Sequence, residues 1–254
     1  MGKLNKSACE IQKKLNILYS EVFTQDNTKD LKDKDKLSAP LLIQVYDSYI
    51  NANIRIMYVG KEPNHWLTAK SIDKDKRGLN GTLSSVGIDI KRLLNRYNKR
   101  MTRKDKWGKH AFFKQYKNIK DQLVDNDIGS GSIVWNNLFK MAYDNGHSYS
   151  KNSKNHSSKL NELSKELFLK ELEILNPEIL IFVTGSSYDK VIKETLVDYK
   201  TIEVIIPKKL WKFKYQDKIC YRTVHPDSIR FIKKDKRVDY YQMIINDIKQ
   251  ERGL

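Results

Sequence analysis

The chain has 254 residues, 39% of them apolar, enough to bury a substantial core within one domain. Its 48 Lys+Arg against 31 Asp+Glu leave a net charge of +17, which favours encounter with polyanions and contacts to phosphate. With no run of apolar residues long enough to span a bilayer, no signal-peptide core, and only Cys9 and Cys220, far apart, the sequence argues against a membrane protein or a disulfide framework and predicts a cytoplasmic one.

Ile11, Leu15, Leu18, Tyr19 and Val22 recur at helical spacing and predict an amphipathic helix over 7–24. Residues 27–36 alternate Lys and Asp and read as a solvated loop or a frayed helix end, and 38–52 read as a second helix, with Ser38 as N-cap and Pro40 in its first turn. An apolar strand, 54–59, then runs into Gly60-Lys61-Glu62-Pro63-Asn64-His65. The pattern lapses from Lys61 to about Gly87, as functional or irregular stretches do. Helices are expected near 86–99 and 109–124, flanking a Lys/Arg-rich loop around Trp107 that reads equally as a phosphate-tracking surface or a solvated basic loop.

Ser132 to Asn137 reads as a short buried strand, and 148–158 as a polar loop. Leu160, Leu163, Leu167, Leu172 and Leu175 mark a helix that must stop before Pro177. Strands follow at 179–183, 202–206 and 219–224, with a helix over about 187–198 and a closing helix through Val238, Tyr241, Ile245 and Ile248. Strands alternating with helices predict a three-layer α/β/α sandwich on a central, mostly parallel sheet of four to five strands. The expected organisation is a single domain over 1–254. It comprises a helical extension (1–53), a motif-bearing core (about 54–231) and a C-terminal helix (232–254).

Glu62 and His225 each sit at the end of an apolar strand and just before a proline, Pro63 and Pro226, which fixes the direction of the loop. Open α/β sheets place their chemistry on such loops, and a carboxylate with an imidazole is a hydrolytic pairing. No GxGxxG, HExxH or GxSxG pattern occurs, and the histidines have no metal-ligand spacing, so neither a metal nor a cofactor is expected.

Four stretches, in order, resemble the uracil-DNA glycosylase superfamily. Gly60-Lys61-Glu62-Pro63-Asn64-His65 is similar to its first motif, GQDPYH in the best-known branch, and His225-Pro226-Asp227-Ser228-Ile229 to its last, HPSPL. Asn137-Leu138-Phe139-Lys140 resembles the NVVK of the thermophile-type branch. Asn176-Pro177-Glu178 onward to Gly185-Ser186 resembles the segment before a phosphate-gripping serine. The resemblance spans about 59–229, while 66–128 and both flanks match no named pattern.

The resemblance implies a monofunctional DNA glycosylase that flips a pyrimidine out of DNA and hydrolyses its N-glycosidic bond, in base-excision repair or anti-phage defence. Glu62 then orients water and stabilises an oxocarbenium-like sugar, and His225 donates to the base O2. Asn137 reads the base edge, with Asn136 as second choice, and Trp66 is the candidate stacking aromatic. Ser186 grips a phosphate, and Ile229 stands where a leucine wedge fills the gap left by the flipped base. Arg222, Arg230 and Lys233 anchor the DNA backbone. Two departures stand out: Glu62 replaces aspartate, and Asn64 replaces a tyrosine that blocks C5 substituents. The expected substrate is therefore uracil or a C5-modified, hydroxymethylated or glucosylated cytosine, the partner DNA, and the protein a monomer. The alternative is a catalytically silent nucleic-acid-binding protein on the same fold.

Overall fold

The computed structural model describes residues 7–63, 66–67, 78–103, 110–124, 132–143, 157–231 and 238–253. Six strands form the central sheet: β1 (Ile56–Gly60), β2 (Ile133–Asn137), β3 (Ile179–Phe182), β4 (Lys200–Ile206), β5 (Leu210–Tyr215) and β6 (Lys218–Arg222). Their spatial order is 2-1-3-6-5-4. The first four in that order run parallel, while β5 is antiparallel to both β6 and β4. A three-layer α/β/α architecture results, with a sheet at least one strand wider than the sequence predicts.

The unpredicted strand is β5. Leu-Trp-Lys-Phe-Lys-Tyr alternates aromatic and lysine, a period-two signal that lysine obscures, because Lys212 is itself buried and pairs with Asp247 and Glu251 at 2.7 Å each. The turns that reverse the chain on either side of β5 place Lys208 and Gln216 at positive φ.

The helices are α1 (Ala8–Val22), α2 (Ile90–Thr102), α3 (Ala111–Leu123), α4 (Ser158–Leu175), α5 (Asp189–Thr195) and α6 (Tyr240–Arg252). Ser7 and Glu10 close a reciprocal capping box at the start of α1. Ser157 caps α4, and Asn176 ends it in the left-handed conformation (φ 42°) just before Pro177. The rings of Phe112 and Tyr116 on α3 pack edge-on against Tyr58 of β1, and Gln122 of α3 pairs with Gln242 of α6. On the opposite face Phe168 of α4 meets Phe182 of β3, and α1 lies against α4.

The expected helix over 38–52 shrinks to one turn, Asp47–Ile50. Residues 37–43 are buried without interruption, which an amphipathic helix cannot be. Their hydrogen bonds go to the segment after β2 instead: Ser38 N–H donates to Ala142 O (2.8 Å), and Leu41 N–H to Lys140 O (2.8 Å). Ser38 Oγ, expected as an N-cap, accepts from Ala142 N–H (2.9 Å).

Candidate active site

Register brings the carboxyl ends of the four parallel strands to one edge. Gly60 is the partner of Asn137, Val59 of Phe182, and Phe182 of Arg222. The loops beyond are tied together: Leu138 N–H donates to Gly60 O (3.0 Å), Phe139 N–H to Lys61 O (2.9 Å), and Gly185 N–H to Thr223 O (2.9 Å). This order places β1 between β2 and β3, which leave it in opposite directions, and the strand end at Gly60 is the position where open α/β sheets place their ligands.

The two asparagines that end β2 separate by strand alternation. Asn137 shares its face with Trp135, whose Nε1–H donates to Asn137 Oδ1 (3.2 Å). The indole nitrogen can only donate, so it fixes which end of the amide is oxygen. Asn137 Nδ2 is left as a buried donor with no hydrogen-bond partner among the described residues. The side chain crowds Gly60 so closely that a Cβ there would lie 2.3 Å from Asn137 Oδ1 and 3.0 Å from Phe112 Cε2. Only glycine admits that approach.

Asn136 points the other way and is not available for base recognition. Its Nδ2 donates to Glu171 Oε2 (2.9 Å), and its Oδ1 accepts from both Lys140 Nζ and the Asn137 backbone N–H, the latter at 2.7 Å. Lys140 and Glu171, both fully buried, form an ion pair beneath β2. Tyr19 OH completes the network by donating to Glu171 Oε1 (3.0 Å) while accepting from Ile43 N–H (3.0 Å). Burial pulls the Lys140 pKa down, opposed by the adjacent carboxylate.

Glu62 is 8% exposed at the mouth of β1. Its charge reaches Tyr188, whose phenol is pushed up first by burial and then by that carboxylate, while Lys61 Nζ lies over the same ring at 5.5 Å. His225 sits beyond β6, its side chain 20% exposed. Burial, and next the positive charge of Lys61, push its imidazole down to about 4, against the opposing pull of Asp227. The ring is therefore neutral at pH 7, and its 3.6 Å approach to the Asp227 carboxylate is not an ion pair there. Asp227 N–H donates to Nδ1 (3.3 Å), which assigns the remaining ring hydrogen to Nε2.

Phe112, which no sequence motif singles out, links these groups. Half-buried at the start of α3, its ring lies 6.2 Å from His225, 5.9 Å from Trp135 and 4.9 Å from Tyr58. The one signal for it is the adjacent pair Phe112-Phe113 at a helix start, of which only Phe113 is needed for the core. Trp66 is only 4% exposed and packs edge-on to Trp135 at 5.5 Å, so it backs the wall and offers no open face for stacking.

Arg222 is not a backbone anchor for DNA. It is 3% exposed, pairs with Asp189 (Nε–Oδ1, 2.7 Å) and lies 6.0 Å from the centre of the Trp211 ring. Ser186 is exposed on the turn after β3, following Gly185 at φ 73°, a conformation that excludes other residues. Ile229 lies in the turn Pro226–Phe231, half-buried against the core. Asn64, His65, Trp107 and Lys233 lie outside the described residues, as does the side chain of Arg230. Among the described residues no cluster of three or more His, Cys, Asp or Glu side chains could hold a metal ion, and no helix is long and apolar enough to cross a membrane.

In comparisons with known proteins, no family model matches the chain and no curated protein matches it.

Proposed function

We propose that the protein is a monofunctional DNA glycosylase acting on a pyrimidine with carbonyl oxygens at both C2 and C4, uracil or a C5-substituted uracil. The observation that carries this reading is the Asn137 amide, locked by Trp135 with its donor end buried and unpartnered among the described residues. A buried donor left open at a strand-end crevice is matched by a ligand acceptor. A C4 carbonyl supplies one, whereas the amino group of cytosine presents a donor at that position. Neutral His225 adds a second donor through Nε2–H, matched to the C2 carbonyl.

The reaction then follows from charge. The C1′–N1 bond breaks with its electron pair leaving on the base, and the two donors stabilise the resulting anion on its oxygens. The sugar develops oxocarbenium character, which the Glu62 carboxylate stabilises, as carboxylates do in glycoside hydrolysis. Water held by Glu62 forms the new bond at C1′, and its proton passes by way of Glu62 to the departing base. Phe112 stacks on the extruded ring. Extruding a base costs a few kcal/mol, which backbone contacts on a basic surface offset.

The test is alkali-labile site formation on oligonucleotides carrying uracil, 5-hydroxymethyluracil or 5-hydroxymethylcytosine. Release from the uracil substrates, abolished in Glu62→Gln and His225→Ala, is expected. Trp135→Phe removes the indole N–H, frees the amide to turn, and raises release from 5-hydroxymethylcytosine relative to uracil. Binding without release on every substrate would leave only a silent nucleic-acid-binding protein, and release confined to cytosines would overturn the amide argument.

A further inference from the structure

Helix α2 divides sharply by charge. Leu93, Leu94, Tyr97 and Met101 are its buried face. Lys91, Arg92, Asn95, Arg96 and Lys99 share the opposite arc, about 140° wide at 100° per residue. They line a surface groove of about 420 Å³. The carboxylate that lines it, Asp89, is already engaged as the helix N-cap, accepting from Arg92 N–H at 3.0 Å. No carboxylate among the described residues lies within ion-pair distance of Lys91, Arg96 or Lys99. Crowding adds to this: burial, and then the like charges of Arg96 and Arg103, lower the Arg100 pKa.

The groove is continuous with the wall of the site. The Arg96 guanidinium lies over the Trp66 ring at 5.6 Å, and Trp66 meets Trp135, whose indole holds Asn137. One turn along, Arg100 lies over Phe113 at 4.4 Å, and Phe113 meets the same Trp135 at 5.1 Å. Positive charge is thus stacked directly behind the aromatic wall of the site.

We propose that the α2 groove is the track for the phosphodiester backbone of the DNA strand whose nucleotide enters the site. From Lys91 to Lys99 the helix advances about 12 Å. Along one strand phosphates are spaced about 3.4 Å apart in projection on the axis, so the face covers roughly three to four of them. The contacts position the strand and read no sequence. Together with the loss of Arg222 as an anchor, this moves the main backbone contact away from the β6 loop and onto α2. The inference rests on the glycosylase reading for the identity of the strand, and its own test is of binding.

Anisotropy of a fluorescent DNA oligonucleotide without a scissile base is measured from 50 to 300 mM salt, for the full chain and two triple variants. Lys91→Gln/Arg96→Gln/Lys99→Gln is expected to weaken binding at least tenfold. It should also flatten the slope of log K against log salt by about 2, at about 0.7 for each phosphate no longer neutralised on a single strand. Lys165→Gln/Lys190→Gln/Lys193→Gln, equal in charge but on the groove between α4 and α5, is expected to keep the wild-type slope. Arg96→Lys, which retains the charge, should also keep it, separating phosphate binding from support of Trp66. The proposal is overturned if the α2 triple variant keeps the wild-type slope, if both triples lose equally, or if the wild-type chain does not bind. Base release with an unchanged α2 slope removes the groove and leaves the glycosylase. A flattened slope with no base released from any substrate does the reverse.

Discussion

The buried Lys140–Glu171 pair makes the strongest quantitative demand on this structure. Among the described residues, Lys140→Met leaves the Glu171 carboxylate with only the Tyr19 hydroxyl and the Asn136 amide as donors, both carboxylate and lysine being fully buried. Removing one partner of such a pair costs about 3–5 kcal/mol, because the other charge stays buried. In a domain of this size each kcal/mol lowers Tm by about 2–4 °C, so a fall of roughly 6–20 °C is expected. Adding Glu171→Gln to Lys140→Met removes the stranded charge. The double variant should therefore be more stable than the sum of the single costs implies, by roughly 1–3 kcal/mol. Urea denaturation of the four proteins, with m-values compared, measures the cycle. A Lys140→Met cost below about 1 kcal/mol, or strictly additive costs, would refute the assignment of a charged, mutually dependent pair. The network also reaches the site, since Asn136 Oδ1 accepts the Asn137 backbone N–H. Lys140→Met should therefore depress base release even at temperatures where the variant is fully folded.

Two further outcomes follow from the site. His225 has a folded pKa of about 4 against an ordinary value of 6.5, so the unfolded chain binds more protons between those values, and stability rises with pH across that window. As pH falls from about 6.5 to 4, roughly 3 kcal/mol should be lost through this group. Titration of the His225 Cε1–H resonance should show a midpoint near 4; a midpoint at or above 6.5 would refute the downward shift, and one above about 7 would sink the neutral-donor role. Gly60→Ala forces a methyl into a position 2.3 Å from Asn137 Oδ1, an atom held by Trp135. An overpacking cost of about 1–3 kcal/mol is expected. Kinetics should show base release falling roughly 100-fold as Asn137 is displaced, and near-wild-type kinetics would mean that the amide is not positioned as described.

Strands β1 and β3 were legible as continuous apolar runs, as parallel strands covered on both faces are, and β2 and β6 as short apolar stretches with polar residues only at their ends. Strand β5 was not, since Lys212 and Lys214 read as solvent-facing until Asp247 and Glu251 of α6 supply the partners that let Lys212 be buried. The stretch 38–52 misled for a different reason. Ser38 and Pro40 are good helix-start residues, but a chain buried on all sides takes its hydrogen bonds from whichever neighbour is in reach, here 140–142. Local propensity lost to tertiary pairing. Phe112 was illegible because nothing in a linear pattern says which of two adjacent aromatics faces a cleft formed by loops distant in sequence.

The two asparagines show where sequence reading stops and geometry begins. Residue type and strand-end position mark Asn136 and Asn137 equally, and only the face of β2 distinguishes them. Trp135 is the key to that choice. A tryptophan two residues before Asn137 lies on the same face, and its donor-only nitrogen determines what the amide can offer a ligand. From the other face Asn136, Lys140 and Glu171 hold the backbone at the same point. Asn137 is thus fixed from both layers of the sandwich, side chain by one and main chain by the other. That preorganisation is what discrimination between a carbonyl and an amino group requires, because a donor free to turn would accept either.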